Sequence, residues 1–134
     1  MAEASPGPRP RPLSPYMTWR WHVTMTASIL HRAAGVGLFA GLLILAGWAL
    51  ALASGADAYQ DYCGILTSIL GRLVLFGVSV CLFFHLANGL RHLAWDLGKG
   101  FKKSTADATA WAALVFGAVA ALALWGALAL NGAL

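Results

Sequence analysis

The chain has 134 residues, is 60% hydrophobic and only 10% charged, and carries a formal net charge of +4. Together with a mean hydropathy of +0.72, that composition excludes an ordinary soluble domain. An all-α integral membrane protein is expected, in contact with lipid and with no nucleic-acid partner.

All five prolines, Pro6, Pro8, Pro10, Pro12 and Pro15, fall in the first fifteen residues with Arg9 and Arg11 between them. No regular helix forms in such a stretch, so an extended cytoplasmic arm is expected. From Tyr16 to Val23 the chain mixes Trp19, Arg20, Trp21 and His22, the blend found where a chain enters the headgroup region. A short interfacial helix is expected there, so that residues 1–23 form an arm and interfacial segment of a single 1–134 anchor domain.

Three stretches lack charge over a length that can cross a bilayer, which requires about 20 apolar residues: Ala33 to Ala53, Leu73 to Leu90 and Ala108 to Leu130. With their flanks they predict three transmembrane helices, at about 28–53, 65–92 and 108–130. The first span begins too late, after too much polar sequence, to resemble a cleaved signal peptide. Between the first two spans, Ser54 to Tyr62 reads as a short acidic loop carrying Asp57 and Asp61. Cys63 and Cys81 read as lying on or near one helix, about 27 Å apart at 1.5 Å per residue, too far to bridge. With no CxxCH and no cysteine cluster in the chain, electrons would have to enter from another subunit. The third span has no ionisable group and is expected to serve packing. Gly117 with Ala121, and Gly37 with Gly41, make small-xxx-small pairs that permit close helix approach, although such pairs are common in a sequence this rich in small residues.

Lysine and arginine set the expected orientation. Arg9, Arg11, Arg20 and Arg32 precede the first span and Lys99, Lys102 and Lys103 separate the second from the third, which predicts a cytoplasmic amino terminus and a periplasmic carboxyl terminus. Arg72, near the outer end of the second span, can snorkel to the headgroups.

Two polar clusters interrupt this apolar pattern. HLANGLRHLAWD, His85 to Asp96, ends the second span, and at about 100° per residue His85, Asn88, Gly89, His92 and Asp96 fall in one stripe. Ionisable groups at membrane depth face a protein interior and mark sites. An imidazole with a bare glycine one turn away suits a flat metal macrocycle, because the ring can approach the backbone where no side chain stands. Haem is therefore the first hypothesis, with His85 as axial iron ligand and Gly89 in the haem environment. His92 lies about 10 Å further along the axis and cannot share the iron, so a partner subunit is expected to supply the second ligand. His92 and His31 are expected to form a tier at the haem propionates. Arg91 points away from the stripe, and an interfacial or ion-pairing role for it is as well founded as propionate binding.

The other cluster is SILHR, Ser28 to Arg32. Ser28 and Arg32 share a face and His31 lies beside them. A hydroxyl and a guanidinium near the interface can serve a quinone's carbonyl oxygens and a proton route from water. The alternative is an arginine reaching lipid phosphate beside a serine that caps the helix.

RPLSP at Arg11 to Pro15, SILHR with Gly35 following, and HLANGLRHLAWDLG from His85 to Gly98 together carry a resemblance over essentially the whole chain. The chain resembles the cytochrome b subunits of succinate dehydrogenase, the larger of the two membrane anchors in respiratory complex II. That resemblance implies haem b between two anchor subunits, with His85 at the iron, His31 at a propionate and the second ligand from the partner anchor. It also implies peripheral flavoprotein and iron–sulfur subunits, flavin chemistry on another subunit, and a ubiquinone site lined by Ser28 and Arg32. Two positions depart from the family pattern: Tyr16 stands where histidine is frequent, and Ala34 where a hydroxyl residue is. Competing readings are a fumarate reductase anchor, a haem-free structural anchor and a small transporter subunit; the last is disfavoured by a third span without polar residues or a helix break. Residues 1–10 lack an amphipathic arginine- and serine-rich segment, so a bacterial inner membrane is the expected location.

Overall fold

The structure, a computed structural model, describes residues 20–132. The proline arm and Tyr16 to Trp19 of the expected interfacial helix lie outside the described residues. Four helices follow in order: α1 (Val23–Ser54), α2 (Ala56–Thr67), α3 (Ile69–Asp96) and α4 (Lys103–Leu130). Three of them, α1, α3 and α4, are long and apolar enough to cross a membrane, and the chain is an all-α integral membrane protein.

Each long helix extends beyond its apolar run. α1 has 32 residues and α3 and α4 have 28 each, about 48 and 42 Å at 1.5 Å per residue, against about 30 Å of hydrocarbon. α1 therefore starts ahead of residue 28, where His22, in extended backbone, accepts the Thr24 amide on Nδ1 at 3.4 Å and caps the helix. Arg20 to His22 are not helical. α4 starts ahead of residue 108 and α3 continues past residue 92 to Asp96, because polar residues wind on as helix where headgroups and water can meet them.

The expected acidic loop is instead helical. Gly55, at φ 115° and ψ 176°, adopts a conformation essentially reserved for glycine and turns the chain sharply out of α1. Asp57 in the first turn of α2 complements the positive end of that helix. α2 then lies back on α1: the Tyr62 hydroxyl donates to the Ile44 carbonyl at 2.8 Å, entering over Gly47, where a Cβ would stand 2.6 Å from that hydroxyl. A second corner follows at Ser68, whose Oγ donates to the Ile65 carbonyl at 2.6 Å and accepts the Gly71 amide at 3.1 Å. The second span consequently starts at Ile69 rather than near residue 65. Cys63 and Cys81 thus sit on different helices, α2 and α3, both as free thiols; the break at Ser68 is what separates them.

The turn from α3 to α4 closes with the Gly98 amide on the Trp95 carbonyl at 2.8 Å and the Lys99 amide on the Ala94 carbonyl at 3.0 Å. This satisfies the last carbonyls of the helix around a glycine at φ 74°.

The bundle is built with its small side chains inside. Among the described residues the buried apolar ones are Ala27, Ala34, Ala51, Ala110, Ala113, Ala121 and one large residue, Phe84, while leucines such as Leu42, Leu45 and Leu122 are exposed. Helices in lipid gain little by hiding leucine from a solvent as apolar as leucine, so close backbone approach through small residues drives their packing. Both small-xxx-small pairs lie at contacts. A Cβ on Gly37 would stand 2.8 Å from Cys81 Sγ, one on Gly41 would stand 2.7 Å from Val78 Cγ1, and one on Gly117 would stand 2.7 Å from Phe84 Cβ. Gly117→Leu should therefore part α3 from α4. Overpacking of this kind costs about 1 to 3 kcal/mol, enough to lower the abundance of the membrane-assembled subunit several-fold. Gly126→Leu, at a position where a Cβ meets nothing within 4 Å, should leave abundance unchanged; quantitative immunoblots of membranes compare the two.

Candidate functional site

α1 crosses α3 so that His31 and His85 face each other near the end of the bundle where α1 begins and α3 ends. Their rings stack with centroids 3.9 Å apart and planes 20° from parallel. His92 completes the group, 5.2 Å from His31, with Trp95 edge-on to it at 5.1 Å. His31 therefore stands between the two α3 histidines and closer to His85, not level with His92 as the sequence suggested. Helix crossing sets this height, and periodicity within one helix carries no information about it.

On α3, His85 and His92 turn to His31 of α1, whereas Asn88, fully buried, accepts from Arg91, whose other donors reach α4. A Cβ on Gly89 would meet nothing within 4 Å, and on the helical wheel Gly89 lies about 40° from His85, on the side away from Asn88. Beside the histidines there is thus a length of bare α3 backbone.

Arg91 belongs to the α4 side. It is buried, and its guanidinium donates from Nε to Thr109 Oγ1 at 3.1 Å, from Nη2 to the Ala106 carbonyl at 3.1 Å and from Nη1 to Asn88 Oδ1 at 3.4 Å. It also lies 4.0 Å over the Trp95 ring, a favourable place for a cation. The structure brings His31, His85 and His92 together and leaves Arg91 out of that group. Sequence reasoning missed the α4 half of this network, Ala106 and Thr109, because the third span was read for its apolar run alone; the polar STADAT segment, Ser104 to Thr109, where that run begins, was the available signal. It missed likewise that His22 Nε2 stands 3.2 Å from Asp107 Oδ1, which ties the start of α1 to the start of α4. That contact puts Arg20 and Arg32 at the same end of the bundle as Lys99, Lys102 and Lys103.

Ser28 is half-buried and Arg32 exposed. On the wheel they lie about 60° and 100° around α1 from His31, continuing its face outward.

The chemistry of the histidine group fits a haem. His85 Nδ1 stands 3.2 Å from the His31 backbone carbonyl. A carbonyl can only accept, so Nδ1 carries the proton and Nε2 presents its lone pair, the arrangement that metal-ligating histidines adopt. His31 Nε2 is buried with no hydrogen-bond partner, a costly condition that an anionic group beside it would relieve. Among the described residues no group of three or more His, Cys, Asp or Glu side chains could cage a bare ion, so an iron held here would need a macrocycle to supply most of its ligands.

A family model for the succinate dehydrogenase/fumarate reductase transmembrane subunit matches residues 7–124. The chain belongs to that family. Among its relatives, the succinate dehydrogenase cytochrome b556 subunit of Rickettsia felis is 37% identical over 118 residues, covering 86% of this chain and 90% of the relative. The mitochondrial cytochrome b560 subunits of pig (Sus scrofa) and human (Homo sapiens) are 39% and 38% identical over 95 and 97 residues, covering 67% and 69% of this chain and 55% and 56% of theirs. Membership in this family agrees with three membrane-crossing helices.

Proposed function

We propose that this chain is the membrane-anchor cytochrome b subunit of a succinate:quinone oxidoreductase in a bacterial inner membrane. It holds the peripheral flavoprotein and iron–sulfur subunits at the bilayer, shares haem b with a second small anchor and helps form the ubiquinone-reduction site. The flavin chemistry of the enzyme belongs to another subunit. The observation that carries this reading is the His85 imidazole, held at Nδ1 by the His31 carbonyl beside the open backbone of Gly89.

In this reading His85 Nε2 would hold the iron, and the partner anchor would supply a further ligand. Bound there, the haem supplies a one-electron relay beside the quinone site. His31 Nε2 and the His92 ring would donate to its carboxylates, which would satisfy the buried His31 nitrogen. Gly89 leaves room for the macrocycle face. Arg91 serves as a tie between α3 and α4 and sets the angle at which the α3 histidines stand. Ser28 donates a hydrogen bond to a quinone carbonyl oxygen, and Arg32 holds positive charge next to it where water delivers protons. The lysine and arginine distribution supports a cytoplasmic position for this end of the bundle, the side from which the iron–sulfur subunit would dock.

Purification of the complex from solubilised membranes tests the reading. The chain should co-purify with flavin-bearing and iron–sulfur subunits and a second small hydrophobic chain, and the reduced-minus-oxidised spectrum should show haem b. A complex with full subunit content and no haem absorption would make the chain a structural anchor only.

A further inference from the structure

Gly35 lies one helical turn after His31, and its own amide donates to the His31 carbonyl as the helix requires. A carbonyl oxygen has two lone pairs, and His85 Nδ1, at 3.2 Å, takes the second. Residue 35 brings to that approach neither bulk beyond a Cβ nor a hydroxyl that could claim the same lone pair. Side chains on a helix lean back over the turn before them, so a side chain at 35 that reaches beyond Cβ would lie over the carbonyl of residue 31. A Cβ built on Gly35 already stands 3.4 Å from His85 Cε1 and 3.9 Å from Nδ1, which puts the ring directly against the bare backbone. The His31 ring stacks on the same imidazole at 3.9 Å, so the His85 ring meets α1 through both a side chain and the backbone.

We infer that Gly35 is a positioning residue for the haem ligand: by leaving the His31 carbonyl uncovered it lets that carbonyl hold the His85 Nδ1 proton, which fixes the tautomer and aims Nε2 at the iron. This rests on the reading of His85 as iron ligand. A hydrogen bond from Nδ1 to a carbonyl raises the basicity of the imidazole, and a more basic ligand favours ferric iron. Losing the bond should therefore raise the haem midpoint potential.

The test uses two small substitutions in the whole complex in its membranes. Gly35→Ala adds only the Cβ, which fits at van der Waals distance from the ring. Gly35→Ser adds the same Cβ and a hydroxyl, and serine within a helix hydrogen-bonds the carbonyl four residues back, here that of His31. Serine thus competes for the lone pair that His85 uses, at nearly the same volume. The expected result is that Gly35→Ala keeps the wild-type low-spin ferric EPR signal and midpoint potential. Gly35→Ser should keep haem content but move the EPR g values and shift the potential upward. If the serine variant matches the wild type, or if alanine and serine shift both readouts equally, the carbonyl is not the controlling contact and the proposal fails. His85→Leu, measured alongside, separates the two levels: an unaltered haem spectrum in that variant would remove the ligand assignment itself, whereas loss of haem there with an unaffected serine variant would remove only the role of Gly35.

Discussion

His85→Leu should abolish haem b in the assembled complex. The leucine is close in size to imidazole and tolerated in an apolar helix, so the helix should fold, while the stack and hydrogen bond to His31 and, on the proposed reading, this chain's iron ligand would be lost. Reduced-minus-oxidised spectra should fall to the level of a haem-free preparation while flavin content persists. His92→Leu provides the contrast. His92 stands two turns from His85 and 5.2 Å from His31, so its loss should leave haem bound with a shifted spectrum or potential. Equal haem content and an identical spectrum in His85→Leu and the wild type would refute the ligand assignment; haem retained with a shifted spectrum would point to a substitute ligand.

The second large effect is expected at Ser28 and Arg32. Losing one hydrogen-bond donor at a reacting carbonyl costs about 1 to 3 kcal/mol, or roughly ten- to hundredfold in rate. Ser28→Ala and Arg32→Leu should each slow ubiquinone reduction by that order while succinate oxidation by a soluble dye acceptor stays near wild type, since the dye draws electrons before they reach this chain. Parallel loss of both activities would mean that the residues serve assembly. Two intact activities would place the quinone pocket elsewhere and leave Arg32, which is exposed, as an arginine reaching lipid phosphate.

Much of the architecture was legible in composition alone. A charge-free run of about 20 apolar residues has one stable state in lipid, a helix that satisfies its own backbone, so Ala33 to Ala53, Leu73 to Leu90 and Ala108 to Leu130 could each be read as a membrane crossing. The helix α2 could not be read that way. Its sequence, ADAYQDYCGILT, is mixed in polarity, and what orders it is the Tyr62 hydroxyl reaching a carbonyl eighteen residues earlier on α1.

Within α3, periodicity by itself determined that His85, Gly89 and His92 share a sector and that Arg91 does not, because 3.6 residues per turn fixes the phase of every side chain on its own axis. It could not determine which neighbour each sector meets. That was decided by the close approaches that set the rotation and height of the helices: Gly37 and Gly41 against Cys81 and Val78, and Gly117 against Phe84. These contacts turn Arg91 to α4, bring His31 to the level of His85, and put the His31 carbonyl within reach of an imidazole fifty-four residues away. A one-dimensional pattern specifies angles about an axis; only backbones packed at van der Waals distance convert those angles into a site.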